Sequence, residues 1–106
     1  MNISVTETTA NKIHSLLMIY EQLLQFMKDA NDERFTKLVE SITESLTQIK
    51  NLLAMGVDSK THLEILKGVR QGLRETPSLF NSIVPEHSAK LVAEFEALIG
   101  CRFSDF

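Results

Sequence analysis

The stretch 13–27, IHSLLMIYEQLLQFM, decides the fold of this chain. Its apolar side chains recur at steps of three and four residues, the spacing that places them on one face of an α-helix. They are Ile13, Leu16, Leu17, Tyr20, Leu23, Leu24 and Met27. The sequence therefore predicts a long amphipathic helix over residues 5–30, with Ser4 and Glu7 placed as a capping box at its start.

Two further segments of the chain show helical periodicity together with clear boundary residues. The second predicted helix covers residues 32–55, with Asn31 or Asp32 as its N-cap. Gly56 follows it at the position where glycine commonly ends a helix. The fourth predicted helix covers residues 85–99, and its proline at the first position costs no hydrogen bond.

The third predicted helix covers residues 59–75 and begins after Asp58 or Ser59. We expect it to end before Pro77, because the residue preceding a proline is disfavoured in helical geometry. The apolar stretch 79–84 is then predicted to form no more than one separate helical turn.

The connections between the four predicted helices are short, which favours antiparallel neighbours. The predicted fold is therefore an all-α, antiparallel up-down bundle, in which a long hairpin of the first two helices packs on a shorter pair. We expect residues 1–100 to form one domain and residues 101–106 to form a short C-terminal tail. A length of 106 residues, with 43% hydrophobic and 24% charged residues, fits one globular domain.

Composition narrows the possible function classes. The formal net charge is −3, so a general affinity for nucleic acid or for anionic membranes is not expected. The longest apolar run, 16–20, is far shorter than a membrane-spanning helix, and residues 1–12 lack a secretory signal pattern. The one cysteine, Cys101, forms no intrachain disulfide. We expect a cytoplasmic protein without a membrane segment.

No constellation of residues predicts catalysis, a metal or a cofactor. The three histidines, His14, His62 and His87, lie on different helices without a His or Cys partner at ligand spacing. The acidic residues of 29–40 partly match a calcium loop, but Arg34 stands where its turn requires glycine. We therefore expect a protein that is not an enzyme and that binds no cofactor or metal.

The segment Leu66-Lys67-Gly68 resembles the Leu-Lys-Gly sequence of histidine phosphotransfer domains, which are four-helix bundles of similar size. The resemblance covers only these few residues. In that family the phosphorylated histidine lies two residues before the leucine, a position that Glu64 occupies here. Phosphotransfer is therefore not predicted, and membership of that family is not inferred.

Two apolar features have more than one interpretation. The first helix carries an unusually wide apolar face, which includes Ile19 and Phe26. This helix either lies at the centre of the bundle, flanked on both sides, or uses the extra face as an interface. Phe103 and Phe106 follow the last helix, and they either are exposed as an interaction site or plug the uncovered end of the hairpin of the first two helices.

Polar and small residues also leave alternatives open on the third helix. Its cationic side chains surround Leu63 on one side of the helix; they are Lys60, Lys67, Arg70 and Arg74. This face is interpreted as a solvated surface, a nucleic-acid-binding surface, or a docking surface for an acidic and apolar peptide. Gly68 and Gly72 are predicted to allow close packing of a neighbouring backbone.

We therefore expect a small helical adaptor, regulator or chaperone-like protein that binds another protein, or itself, through apolar helix faces. The alternative is a nucleic-acid-binding regulator that uses the third helix. The predicted partner-binding residues are Ile19, Phe26, Leu63, Lys67, Arg70, Arg74, Phe103 and Phe106. A homodimer is favoured over a monomer because it covers the wide face of the first helix, and nucleic acid is the less expected partner.

Overall fold

The computed structural model describes the backbone of residues 2–106 and the side chains of residues 9–106. It contains four α-helices: α1 (Asn2–Asp29), α2 (Thr36–Met55), α3 (Ser59–Ile83) and α4 (Ser88–Ile99). Two single 3₁₀ turns lie at Glu33–Phe35 and Phe103–Asp105. The predicted all-α helical bundle is confirmed. The predicted capping box at Ser4 and Glu7 lies outside the described side chains.

The parallel helices α1 and α3 form the centre of the bundle. Leu16 lines a cavity with Arg70, and Ala30 lines another with Val84, so the two helices run side by side in the same direction. On one side α2 packs mainly on α1, and on the other α4 packs mainly on α3. We call the end with the α1–α2 and α3–α4 connections the upper end, and the end with the α2–α3 connection the lower end.

The helix boundaries follow the capping residues that the sequence predicts. Asp32 caps the second helical segment by accepting a hydrogen bond from the N–H of Arg34 at 2.9 Å. Asp58 caps α3 by accepting from the N–H of Thr61 at 2.8 Å. Gly56 follows α2 with φ 79°, a left-handed conformation that glycine adopts without strain.

Helix α3 continues through Pro77, which corrects the predicted end at residue 75 and joins most of the apolar stretch 79–84 to the same helix. A proline in a helix interior removes one hydrogen bond and costs about 3 kcal/mol. Phe80 and Val84 lie on the buried face of this last segment and are 0% and 1% exposed. Each such burial stabilises the helix by about 1.5–3 kcal/mol, so packing outweighs the local preference.

The helix lengths also differ from the predicted long hairpin on a shorter pair. The two long helices are α1 and α3, with 28 and 25 residues, whereas α2 has 20 residues. Helix α4 has only 12 residues, because it begins at Ser88 after a turn that contains Pro85. The shortest helix therefore covers only part of the central pair. None of the helices within residues 2–106 has the length and apolar character needed to cross a bilayer.

Phenylalanines build the core of the upper part of the bundle. Phe95 of α4 contacts Phe26 and Phe103, in each case with ring centroids 5.4 Å apart. Phe106 contacts Phe103 with centroids 6.0 Å apart. The tail is thus ordered and its two phenylalanines are buried, but they pack beside α3, α4 and the middle of α1 and not, as the sequence alternative had it, over the end of the α1–α2 hairpin.

An ion-pair network joins the two connections at the upper end. The guanidinium of Arg34 binds the carboxylate of Asp32 at 2.7 Å and that of Glu86 at 2.5 Å. Hydrogen bonds from Arg34 lower the pKa of Asp32 to about 2 and also lower the pKa of Glu86. Residues 30–35 are therefore an interhelix turn with an acidic cap, and residues 36–40 belong to α2.

Candidate functional site

The groove between α1 and α3 is only half filled on the side where α4 packs. A helix of 12 residues is about 18 Å long, whereas the 28 residues of α1 extend for about 42 Å. The tail after α4 continues this cover only as far as Phe106, which lies level with Leu16 of α1 and Arg70 of α3. Below that level the position of a fourth helix holds no segment of the described chain.

A cavity of about 350 Å³ marks the place where this cover ends. Its apolar part comes from Leu16 and Phe106, which are each 8% exposed. Lys12 and Arg70 line it from opposite sides of the groove, and the carboxylate of Asp105 lies at its upper edge. The remaining lining residues are Asn11 and Ser15.

The cationic face of α3 continues from this cavity toward the lower end. Leu63 lies two helical turns before Arg70 on the same side of α3, and Lys67 lies between them. The Leu63 side chain is 50% exposed, while Lys67 is exposed and Arg70 is half-buried. Arg74 is exposed on the turn above Arg70. We call the cavity together with Leu63 and Lys67 the lower groove; Arg74 lies just above its upper limit.

The charges of the lower groove are positive, although the chain as a whole is negative. Within residues 9–106, no carboxylate lies within 4.0 Å of the charged nitrogens of Lys12, Lys67, Arg70 or Arg74. Asp105 is the acidic residue of the cavity, and its carboxylate already accepts a hydrogen bond from the N–H of Arg102 at 3.3 Å. The lower groove thus offers cations beside exposed apolar surface.

The structure places some of the predicted partner-binding residues along one side of α3 and the others in the core. Leu63, Lys67, Arg70 and Arg74 lie together along one side of α3, as their helical spacing predicts. Phe103 and Phe106 are 2% and 8% exposed and belong to the core, so in this structure they offer little surface to a partner.

The wide apolar face of α1 is covered within the chain. Phe26 packs its ring on Phe95 of α4, and Ile19 packs, half-buried, against the same core. This arrangement is the alternative in which the first helix lies at the centre of the bundle. A polar residue at position 26 would consequently test the stability of the fold as well as any binding.

The two glycines of α3 differ in their surroundings. A Cβ at Gly72 would lie 1.9 Å from the hydroxyl oxygen of Tyr20, so this glycine accommodates a tyrosine side chain and not the neighbouring backbone that the sequence predicted. Gly68 has open space around it and lines a cavity of about 250 Å³ between α2 and α3. Burial, and secondarily the charge of Glu75, raises the pKa of Tyr20.

A third groove, between α1 and α2, holds a cavity of about 470 Å³. Met18 at its edge is 62% exposed. Its acidic and basic residues, Glu21 and Lys50, already form an ion pair with each other across the groove. Sequence periodicity did not indicate this groove, since it depends on how α2 packs against α1 and not on either helix alone. It carries apolar surface but no charge that would select a partner.

The residues considered for metal binding and catalysis do not converge in the described part of the chain. His14 and His87 are exposed, and His62 is half-buried; its buried Nδ1 finds no hydrogen-bond partner among residues 9–106. No group of three potential metal-ligating side chains occurs among the described residues. No protein-family model, curated protein or solved structure matches this chain.

Proposed function

We propose that this chain is a small, non-enzymatic protein–protein interaction module that binds its partner at the lower groove. An adaptor, a regulator and a chaperone-like protein are all compatible with this role. The cytoplasmic location and the homodimer are further predictions from the sequence, and the proposal does not depend on either.

The observation that carries the proposal is the exposure of Leu63 and the environment of its side chain. A leucine side chain that is 50% exposed lies among cations on a helix that borders an apolar cavity. Single exposed leucines are common on protein surfaces, but apolar surface beside a groove with charged edges is the usual composition of a docking site. Burying Leu63 against a partner would stabilise a complex by roughly 1–2 kcal/mol.

The nucleic-acid alternative uses the same cations and accounts for fewer of the observations. Phosphate contacts need positive side chains, which Lys67, Arg70 and Arg74 supply. They give no role to Leu63 or to the apolar part of the cavity. The negative net charge of the chain also opposes association with a polyanion.

Quantitative affinity capture from the native host tests the proposal. The wild-type chain is compared with the double variant Leu63→Ser/Lys67→Glu, and Leu98→Ser serves as the matched control. Leu98 of α4 is 62% exposed, so its replacement removes a comparable apolar side chain at a different place. We expect the wild type and Leu98→Ser to capture the same protein in stoichiometric amount, and the double variant to lose it.

Two outcomes would contradict the proposed function. Capture that is equal for all three chains would place the interface elsewhere. Binding of duplex DNA that weakens steeply with salt and disappears in the double variant would instead support the nucleic-acid alternative. Circular dichroism of each variant confirms that its helices are intact before capture is compared.

A further inference from the structure

We infer that the partner presents an acidic amphipathic α-helix of about three turns, which takes the unfilled lower half of the fourth-helix position. This inference rests on the proposed function, since it names what binds at the lower groove. Its three supports are the length of the groove, the placement of its apolar side chains and the sign of its charges.

The length of the groove fits a short helix. On α3 the unfilled part extends from Ser59, where the helix begins, to Arg70, where the tail ends its cover. This stretch of helix is about 17 Å long, which corresponds to about three turns of a second helix alongside it. In the upper half α4 fills the same position against the same two helices. The fold thus already shows that a helix packs against this pair.

Apolar side chains lie along the floor and one edge of the groove. Leu16 lies at the upper limit, and Leu63 lies near the lower limit. Leu66, which is 6% exposed, lies on the core side of α3 one turn after His62. A helix with apolar residues at three- and four-residue steps could cover Leu63 and the open side of the cavity together.

The charges select an acidic helix. Lys12 on α1 and Arg70 on α3 face the groove from its two sides, and the exposed Lys60 and Lys67 extend the positive edge along α3 toward the lower end. Carboxylates on both flanks of the apolar stripe would meet these cations, whereas lysines there would be repelled. Asp105 lies only at the upper end of the groove, beside the tail.

A peptide series measures the predicted preference directly. The probes are fluorescein-labelled, hydrocarbon-stapled helices of about twelve residues with one leucine stripe. Their flanking residues are all glutamate, all glutamine or all lysine. Fluorescence anisotropy with the full chain is expected to show the glutamate peptide binding at least about tenfold more tightly than the glutamine peptide, and the lysine peptide not binding.

Charge reversal on the protein supplies the matched control. The variant Lys60→Glu/Lys67→Glu is expected to weaken binding of the glutamate peptide at least about tenfold. Lys28→Glu/Lys37→Glu reverses two exposed cations away from the groove and gives the same change in formal net charge, and it is expected to bind as the wild type does. Equal loss in both variants would reduce the effect to overall charge and overturn the inference.

Three other results would also overturn it. They are equal affinity for the glutamate and glutamine peptides, tighter binding of a DNA duplex than of the glutamate peptide, and a homodimer in solution whose interface is the lower groove. The proposed function fails separately. If the host partner is captured in a Leu63-dependent manner while no acidic helix binds, the interaction module stands and only the acidic helix is wrong.

Discussion

The two ends of this bundle are built from the same central helices but differ in how completely they are covered. In the upper half α1 and α3 are flanked by α2 and α4, and the tail continues this cover as far as Phe106. At the lower end the side that α4 would cover is open, and Leu63 is exposed there beside cations. One pair of helices thus supports a closed core in one half and an open groove in the other.

The difference shows where stability and binding reside in a chain of this size. All six phenylalanines of the sequence, Phe26, Phe35, Phe80, Phe95, Phe103 and Phe106, take part in ring contacts. Five of these rings are fully or almost fully buried, and Phe26 is half-buried. We expect the aromatic layer to supply most of the stability, which leaves the lower groove free to be shaped by a partner.

The largest expected loss of stability comes from a substitution in the closed upper half of the bundle. Replacing Phe95 with alanine removes a ring that is 0% exposed and that contacts two others. Such a change costs about 3–5 kcal/mol of unfolding free energy, measured by urea denaturation with circular dichroism. Leu98→Ala on the same helix is the control and should cost less than about 1 kcal/mol, because Leu98 is 62% exposed. Equal costs would show that α4 does not anchor the core.

The glycine pair at the middle of α3 should give effects of opposite sign. Gly68→Ala meets open space and should stabilise the chain by about 0.5–1 kcal/mol, since alanine favours the helix. Gly72→Ala places a methyl group against the Tyr20 hydroxyl and should cost about 1–3 kcal/mol. Thermal denaturation compares the two. Adding Tyr20→Phe to Gly72→Ala should relieve much of the destabilisation, because it removes the hydroxyl that the methyl group would meet. Equal changes in stability for Gly68→Ala and Gly72→Ala would contradict the packing described.

Replacing Pro77 tests whether tertiary packing or local helix preference stabilises the upper half of α3. Replacing it with alanine should raise the unfolding free energy by about 1–2 kcal/mol, because alanine supplies the missing N–H and removes the steric clash of the ring. Chemical denaturation measures the change. A clear loss of stability would mean that Pro77 itself is needed to bring Phe80 into the core.

The smallest expected effect concerns the ion pairs at the upper end. The pKa of Asp32 in the folded chain, about 2, lies below its ordinary value of 3.8, because Arg34 stabilises the carboxylate. The stabilisation is therefore present at neutral pH and is lost as the pH falls from about 4 to about 2. We expect Arg34→Ala to lower Tm slightly at pH 7 and the difference from the wild type to close across this acidic range. A difference that is constant with pH would exclude this network as its cause.

Local signals in the sequence predicted most of the fold. The apolar spacing of 13–27 predicted α1, and the capping residues Asp32, Asp58 and Gly56 marked boundaries that the structure contains. The error at Pro77 arose because a local backbone preference was weighed without the burial of Phe80. That burial depends on tertiary packing, which the periodicity of one segment does not reveal.

The candidate site could be predicted only in part. Helical spacing placed Leu63, Lys67 and Arg74 on one side of α3, because that relation depends on the helix alone. The cavity beside them depends on where α4 stops and where Phe106 packs. Two phenylalanines after Gly100 carry no periodic signal, so sequence reasoning left their burial open, and with it the position of the groove.

Hydrogen exchange of the full chain tests the central claim most directly. Amide exchange is followed by mass spectrometry in residues 59–70 and 71–83 of α3, alone and with the stapled glutamate peptide. The account predicts that residues 59–70 exchange faster than residues 71–83 in the free chain and become protected on binding, while the upper segment is unchanged. Protection confined to the α1–α2 or α2–α3 groove, or no protection at all, would contradict the lower groove as the binding site.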